Sequence, residues 1–243
     1  MGNRFLISAA FLFGIIISCS ENKKKEKYLP DSNGRFHTIS VVMASKSWGG
    51  HLGEITREAL SKPYEGLPLD EAKFTLKYIS PKIVTGFVRN SRSIIVFVKD
   101  SISEFLLDKN KFAKHQIVAK ISGPDEEAQK YLFELNLKKL ITSLEENERQ
   151  EKIRRIKKSP NNEKSFQKRF RISMLYPSAY KLIKDTTNFV WFQKEIPTGH
   201  LNIIAYQISQ KSFHGSIKNR IIKTRDSIGK IYIPGRLPST HMI

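Results

Sequence analysis

Residues 93–98 read S-I-I-V-F-V, a run with a single polar side chain, Ser93. A strand with one wet face alternates apolar and polar residues, so a run without alternation predicts a central strand covered on both faces. The sequence on either side supplies further layers. Residues 38–44, T-I-S-V-V-M-A, are β-branched and apolar and predict another strand. Trp48, Gly49 and Gly50 then make a glycine turn into an amphipathic helix that runs through Leu60. Pro63, Gly66 and Pro68 close that helix and predict a loop. Residues 73–79 set Phe74, Leu76 and Tyr78 against Thr75 and Lys77, the period of a half-exposed strand, and Ser80-Pro81 stops it. Residues 116–121 offer one more strand.

Beyond Ser122-Gly123-Pro124, the acids Asp125, Glu126 and Glu127 fall in a first helical turn, where they complement the helix dipole. A helix is predicted from Asp125 to about Lys158, with Leu132, Leu135, Leu140, Ile141, Leu144, Ile153 and Ile156 at near-helical spacing. Ser159-Pro160-Asn161-Asn162 is the best boundary in the chain. After it, residues 170–175, 189–193 and 202–207 predict three strands. Residues 216–228 predict a helix with Ile217, Ile221 and Ile228 on one face. The fold class is therefore α+β: a mixed sheet with covering helices in residues 31–158, followed by a second, smaller α/β portion in residues 163–243.

Composition agrees with a folded, basic body. The 243 residues suit one large domain or two small ones, and 40% hydrophobic residues are too many for a disordered chain. Forty-two Lys and Arg against 23 Asp and Glu leave a net charge of +19. Residues 146–171 alone hold ten cations and four acids. The single cysteine, Cys19, excludes an internal disulfide framework, a Cys-rich zinc site and an iron–sulfur cluster held by this chain alone.

Residues 1–18 have the pattern of a secretory signal: Arg4, an apolar stretch over 5–17 broken by Ser8 and Gly14, then small residues. The stretch is shorter than the roughly 20 residues that span a bilayer. Ile16-Ile17-Ser18-Cys19 resembles a bacterial lipobox, in which the cysteine sulfur is acylated and becomes the first residue of the mature protein. The alternative is an ordinary signal ending in a buried free cysteine. Residues 19–30 then form a lipidated cysteine and a polar tether whose Lys23, Lys24, Lys25 and Lys27 either meet anionic headgroups or keep a spacer soluble. This places the chain in the cell envelope, lipid-anchored, on the outer membrane and facing the periplasm. Only Glu21 precedes the three lysines, where surface-exported lipoproteins carry several acids.

Charge of this size with Phe189, Trp191 and Phe192 nearby fits nucleic acid binding, but export argues against that partner. The expected partners are the membrane, through the N-terminal lipid, and an envelope protein or an anionic surface. Trp48, Gly49, Gly50 and Gly53 form a possible anion-binding turn between strand and helix, although the spacing is G-G-x-x-G rather than the dinucleotide fingerprint G-x-G-x-x-G. A plain tight turn explains the same glycines. No metal site is expected, since His37, His51, His115, His200, His214 and His241 include no pair at helical ligand spacing. No cofactor is expected and no catalytic residue is assigned, for G-x-S-x-G is absent and the acids at 125–127 have a capping role.

Several spaced segments together resemble the Bacteroidota lipoprotein family called domain of unknown function 4837. They are residues 18–20 (S-C-S), 28–34 (Y-L-P-D-S-N-G), 39–43 (I-S-V-V-M) before 48–53 (W-G-G-H-L-G), and 63–68 (P-Y-E-G-L-P). They continue with 92–98 (R-S-I-I-V-F-V), 123–128 (G-P-D-E-E-A), 188–192 (N-F-V-W-F), and 222–232 followed by I-P-G at 233–235. The resemblance implies a lipid-anchored envelope protein and carries over no catalytic residues. Members generally continue beyond the I-P-G segment, which would leave the second portion here C-terminally incomplete. The expected function is a non-catalytic binding or scaffolding module. The alternative is an envelope hydrolase acting on cell-wall or glycan material.

Overall fold

The computed structural model describes residues 28–208, 216–235 and 237–241. Cys19, the signal, the tether up to residue 27 and His214 lie outside the described residues. A five-stranded mixed sheet is built from β1 (Thr38–Val42), β2 (Thr75–Ile79), β3 (Ser93–Lys99), β4 (Glu104–Lys109) and β5 (Ile117–Gly123), in the order β2-β1-β3-β5-β4. Strands β2, β1, β3 and β5 run parallel, and β4 pairs antiparallel with β5 at one edge.

The pleat explains which residues form each core. Ile39, Val41, Ile95, Phe97, Ala119 and Ile121 point to one face, which is covered by α2 (His51–Leu60) and α4 (Glu126–Ile156) through Leu52, Leu60, Phe133, Leu140 and Leu144. Val42, Ile94 and Val118 point to the other face, under Ile79, Val84 and Phe112. With layers on both sides, the apolar run at 93–98 is satisfied as a central strand. The amino end of α4 is capped by Asp125, whose side chain accepts from the Ala128 backbone N–H at 2.8 Å, with Glu126 and Glu127 in the first turn. Among the described residues no helix is long and apolar enough to cross a membrane.

A second, three-stranded antiparallel sheet has the order β6 (Lys181–Asp185), β7 (Phe189–Ile196), β8 (Gly199–Tyr206). Its inner face carries Val190 and Phe192, packed with Phe166 of α5 (Ser165–Phe170) and with Tyr176. Phe189 stacks on Tyr232 of α6 (Ile217–Tyr232) at 4.2 Å between ring centroids. Helix α6 is tied to the 62–72 loop by Lys218 to Glu65 at 2.9 Å and by the Arg225 guanidinium donating to the Gly66 carbonyl at 2.6 Å.

Three local expectations are corrected by the structure, and three elements had none. The glycine turn after β1 is already helical: α1 (Ser45–Gly49) precedes Gly50, and Gly50 separates it from α2. Residues 170–175 form no strand, because Phe166 and Phe170, one helical turn apart, join the small core from α5, and Arg171 then turns left-handed (φ 57°). The third strand of that sheet is β6, whose side chains are exposed and give no burial period to read. Strand β4 and the short helix α3 (Gly86–Arg89) also lack an expectation. Finally, Ile217 and Ile221 of α6 are 67% and 60% exposed, and the buried face holds Gly229 instead.

Gly53 is required by close approach. A Cβ there would lie 2.1 Å from the Trp48 carbonyl oxygen, a backbone atom that cannot rotate away. Gly53→Ala is therefore expected to destabilise the chain by about 1–3 kcal/mol, as overpacking does. Chemical denaturation checks it, and an unchanged midpoint would count against this packing.

Candidate functional site

Helix α4 buries Gln129, Phe133, Leu140 and Leu144 along one side, and the same side continues into Glu148 and Glu151. Both carboxylates are 1% exposed, so each needs a cation. Glu148 receives the Arg92 Nε at 2.9 Å, and Arg92, which precedes β3, is itself 1% exposed. Glu151 receives Arg154 at 2.6 and 2.9 Å and Arg155 at 2.7 Å. Burial pushes the Glu151 carboxyl up, but the hydrogen bonds from Arg154 and Arg155 overcome it and hold the group at about 2. Both terminal nitrogens of Arg92 and one oxygen of Glu148 have no hydrogen-bond partner in the protein.

Three cations converge on one ring. The guanidinium carbons of Arg155 and Arg92 lie 4.5 and 4.9 Å from the Phe36 centroid, and the Lys152 Nζ lies 5.6 Å from it. Phe36 is held there because the segment before it is stitched to the amino ends of the parallel strands. Lys114 donates to the Pro30 carbonyl at 2.8 Å, Asn33 to the Asn90 carbonyl at 2.8 Å and Arg92 to the Asn33 carbonyl at 2.9 Å. The next residue, His37, has a positive φ of 56° and places Nε2 2.7 Å from Lys152 Nζ. Burial, and then the charge of Lys152, lower the His37 pKa below its ordinary 6.5.

Of these residues, Phe36, Lys152 and Arg155 line a groove of about 840 Å³. Lys152, Arg155 and Ile156 come from the last turns of α4, Leu175 to Tyr180 from the segment before β6, Lys194 from β7, and Leu201 and Ile203 from β8. The volume lies within the roughly 300–1,000 Å³ typical of small-molecule sites. Its lining is mostly apolar and contains no Asp or Glu. Tyr176 lines it and is 2% exposed, yet its hydroxyl has no partner. Burial, with Glu163 nearby, pushes that hydroxyl's pKa up. The segment is fixed by Ser178 donating to the Ser159 carbonyl at 2.9 Å and Asn161 donating to the Tyr180 carbonyl at 2.7 Å.

A smaller cavity of about 300 Å³ lies at the carboxyl ends of β1 and β3, near Met43, Ser47, Lys99, Asp125 and Glu126. Parallel sheets commonly bind ligands at such a place, where strand order reverses. Here the polar groups are spent internally: Ser47 donates to Glu126 at 2.7 Å, and Asp125 caps α4. No histidine lines it, and among the described residues no group of three His, Cys, Asp or Glu could hold a metal.

The glycine-rich segment sits beside that cavity. Trp48 stacks on Tyr78 at 5.3 Å and carries Arg57 over its ring at 4.7 Å, while its carbonyl accepts from Arg57 at 2.7 Å. Gly49 has open space where a Cβ would stand, the Gly50 N–H donates to the Ser47 carbonyl, and Gly53 packs on Trp48. Trp48 packs against the main core and Phe192 within the small one, so the two aromatic segments singled out in the sequence occupy different cores. The basic stretch at 146–171 foreshadowed Lys152 and Arg155. Phe36, Tyr176, Lys194, Leu201 and Ile203 were missed, because groove residues from five separate segments share no spacing.

Residues 32–157 match the profile of the family described as Domain of unknown function (DUF8532), and residues 159–243 match Domain of unknown function (DUF4837). The likeness to the second family thus holds for the last third of the chain, and the larger front part follows the first. No curated protein and no solved structure matches the chain.

Two outcomes follow from this geometry. Glu148→Gln leaves a buried guanidinium uncompensated and is expected to cost about 3–5 kcal/mol, whereas the double variant Arg92→Met, Glu148→Leu recovers most of it. Equal losses in both, by denaturant unfolding, would contradict the pairing. His37 has a folded pKa below the unfolded one, so its contribution is present above 6.5 and is lost as pH falls through the folded value. His37→Asn, which tolerates the positive φ, should flatten the decline in thermal midpoint between about pH 7 and 5.

Proposed function

We propose, for a chain that belongs to the DUF8532 family by the match over more than half its length, a binding role in the bacterial cell envelope. In this reading Cys19 is acylated, the residues after it are a tether, and the folded body stays at the outer membrane on its periplasmic side. Two or more acyl chains make such attachment durable, where one alone holds marginally. The observation that carries the binding role is the 840 Å³ groove, mostly apolar in its lining, cationic at Lys152, Arg155 and Lys194, and without a lining carboxylate. It offers shape, desolvation and charge, but no nucleophile paired with a base. That favours holding a partner over transforming one. The hydrolytic alternative has less support: Ser47, the hydroxyl at the smaller cavity, is donated to a carboxylate with no imidazole lining the site.

Both parts are open to experiment. Labelled palmitate should enter the wild-type chain and not Cys19→Ala; equal labelling, or none in either, overturns the anchor. The neutral apolar dye N-phenyl-1-naphthylamine should fluoresce on the full chain. Leu201→Glu, a change at a position 44% exposed, should lower that signal at least fivefold while leaving the circular dichroism unchanged. An undiminished signal overturns the groove as the binding site.

A further inference from the structure

Resting on the groove reading above, we infer that the groove's ligand is a single-chain anionic amphiphile: one acyl chain along the apolar lining, with a phosphate head at Lys152, Arg155 and Lys194. Three observations carry this independently of the anchor.

The first is charge complementarity. Lys152, Arg155 and Lys194 line the groove with no lining carboxylate, and neither Lys152 nor Lys194 is paired with a carboxylate among the described residues. An anionic head relieves the repulsion that these cations impose on one another. The second is unsatisfied hydrogen-bonding capacity. Tyr176, 2% exposed and lining the groove, has a hydroxyl without a partner. Buried polar groups are normally paired, and those left open point to an acceptor-rich guest. The third distinguishes an amphiphile from an extended peptide. A peptide docks by adding main-chain hydrogen bonds. In the 175–180 wall the Ser178 and Tyr180 N–H groups already donate to Ser159 and Pro177 carbonyls, and Pro177 has none. The lining side chains are mostly apolar, with three cations among them.

The test uses head-matched photoprobes: a twelve-carbon chain bearing a diazirine, with a phosphate head in one and a maltoside head in the other. They are applied to the full chain in phosphatidylcholine nanodiscs, and the labelled peptides are mapped by mass spectrometry. The phosphate probe is expected to label residues 175–180 and 201–203 at least tenfold more than the maltoside probe. The double variant Lys152→Gln, Lys194→Gln, which leaves both buried pairs intact, should erase most of that preference, and Leu201→Glu should remove groove labelling by either probe. Equal groove labelling by the two heads overturns the anionic ligand and leaves the groove reading standing. Labelling that maps elsewhere, or that ignores Leu201→Glu, overturns both. Full displacement of the phosphate probe by an equal concentration of inorganic phosphate shows that the chain is not recognised and overturns the amphiphile.

Discussion

Arg92 enters the interior with a full charge, and Glu148 is the carboxylate that makes this tolerable. Desolvating two ions costs several kcal/mol each, so the pair contributes little net stability compared with two apolar side chains of the same volume. Its consequence is geometric. Arg92 immediately precedes the central strand β3, and Glu148 stands on the buried side of α4, about two turns before its end. An apolar contact there could slide along the helix. A charge with one permitted partner sets how far α4 is advanced over the sheet, and hence where Lys152, Arg155 and Ile156 stand.

The same pair fixes Phe36. The ring lies over the Arg92 guanidinium, and the backbone before it is hydrogen-bonded to residues 90, 92 and 114. One face of the groove is therefore built on the large sheet and the other on the small one, with Ser159 and Ser178 joined hydroxyl to hydroxyl at 2.6 Å across the connection.

The anionic guest proposed above would suit the proposed envelope location, where phosphate-headed lipids are plentiful, and would account for a part of the positive charge that solubility does not. Some cations are paired along a helix at i,i+3 or i,i+4, as Arg149 is with Glu146. Exposed pairs of that kind contribute at most about 1 kcal/mol. Lys152 and Lys194 differ from them in facing apolar walls with no acid opposite.

What the amino-acid order determined alone is local and periodic. The run at 93–98 required covering layers, the acids at 125–127 marked the start of α4 within a residue, Ser159-Pro160 marked its end, and Ser216 marked the start of α6 with its hydroxyl accepting from Asn219. Each of these signals acts over a few residues and has a period or a cap to read. Strands β4 and β6, the absence of a strand at 170–175, and the exposed side of α6 had no such signal, because packing partners far along the chain decide them. The groove belongs to the second kind. Phe36, Lys152, Tyr176, Lys194 and Leu201 are neighbours only after two sheets and a long helix have been assembled, and a charge buried at residue 92 becomes legible only when its counter-charge, 56 positions away, is seen beside it.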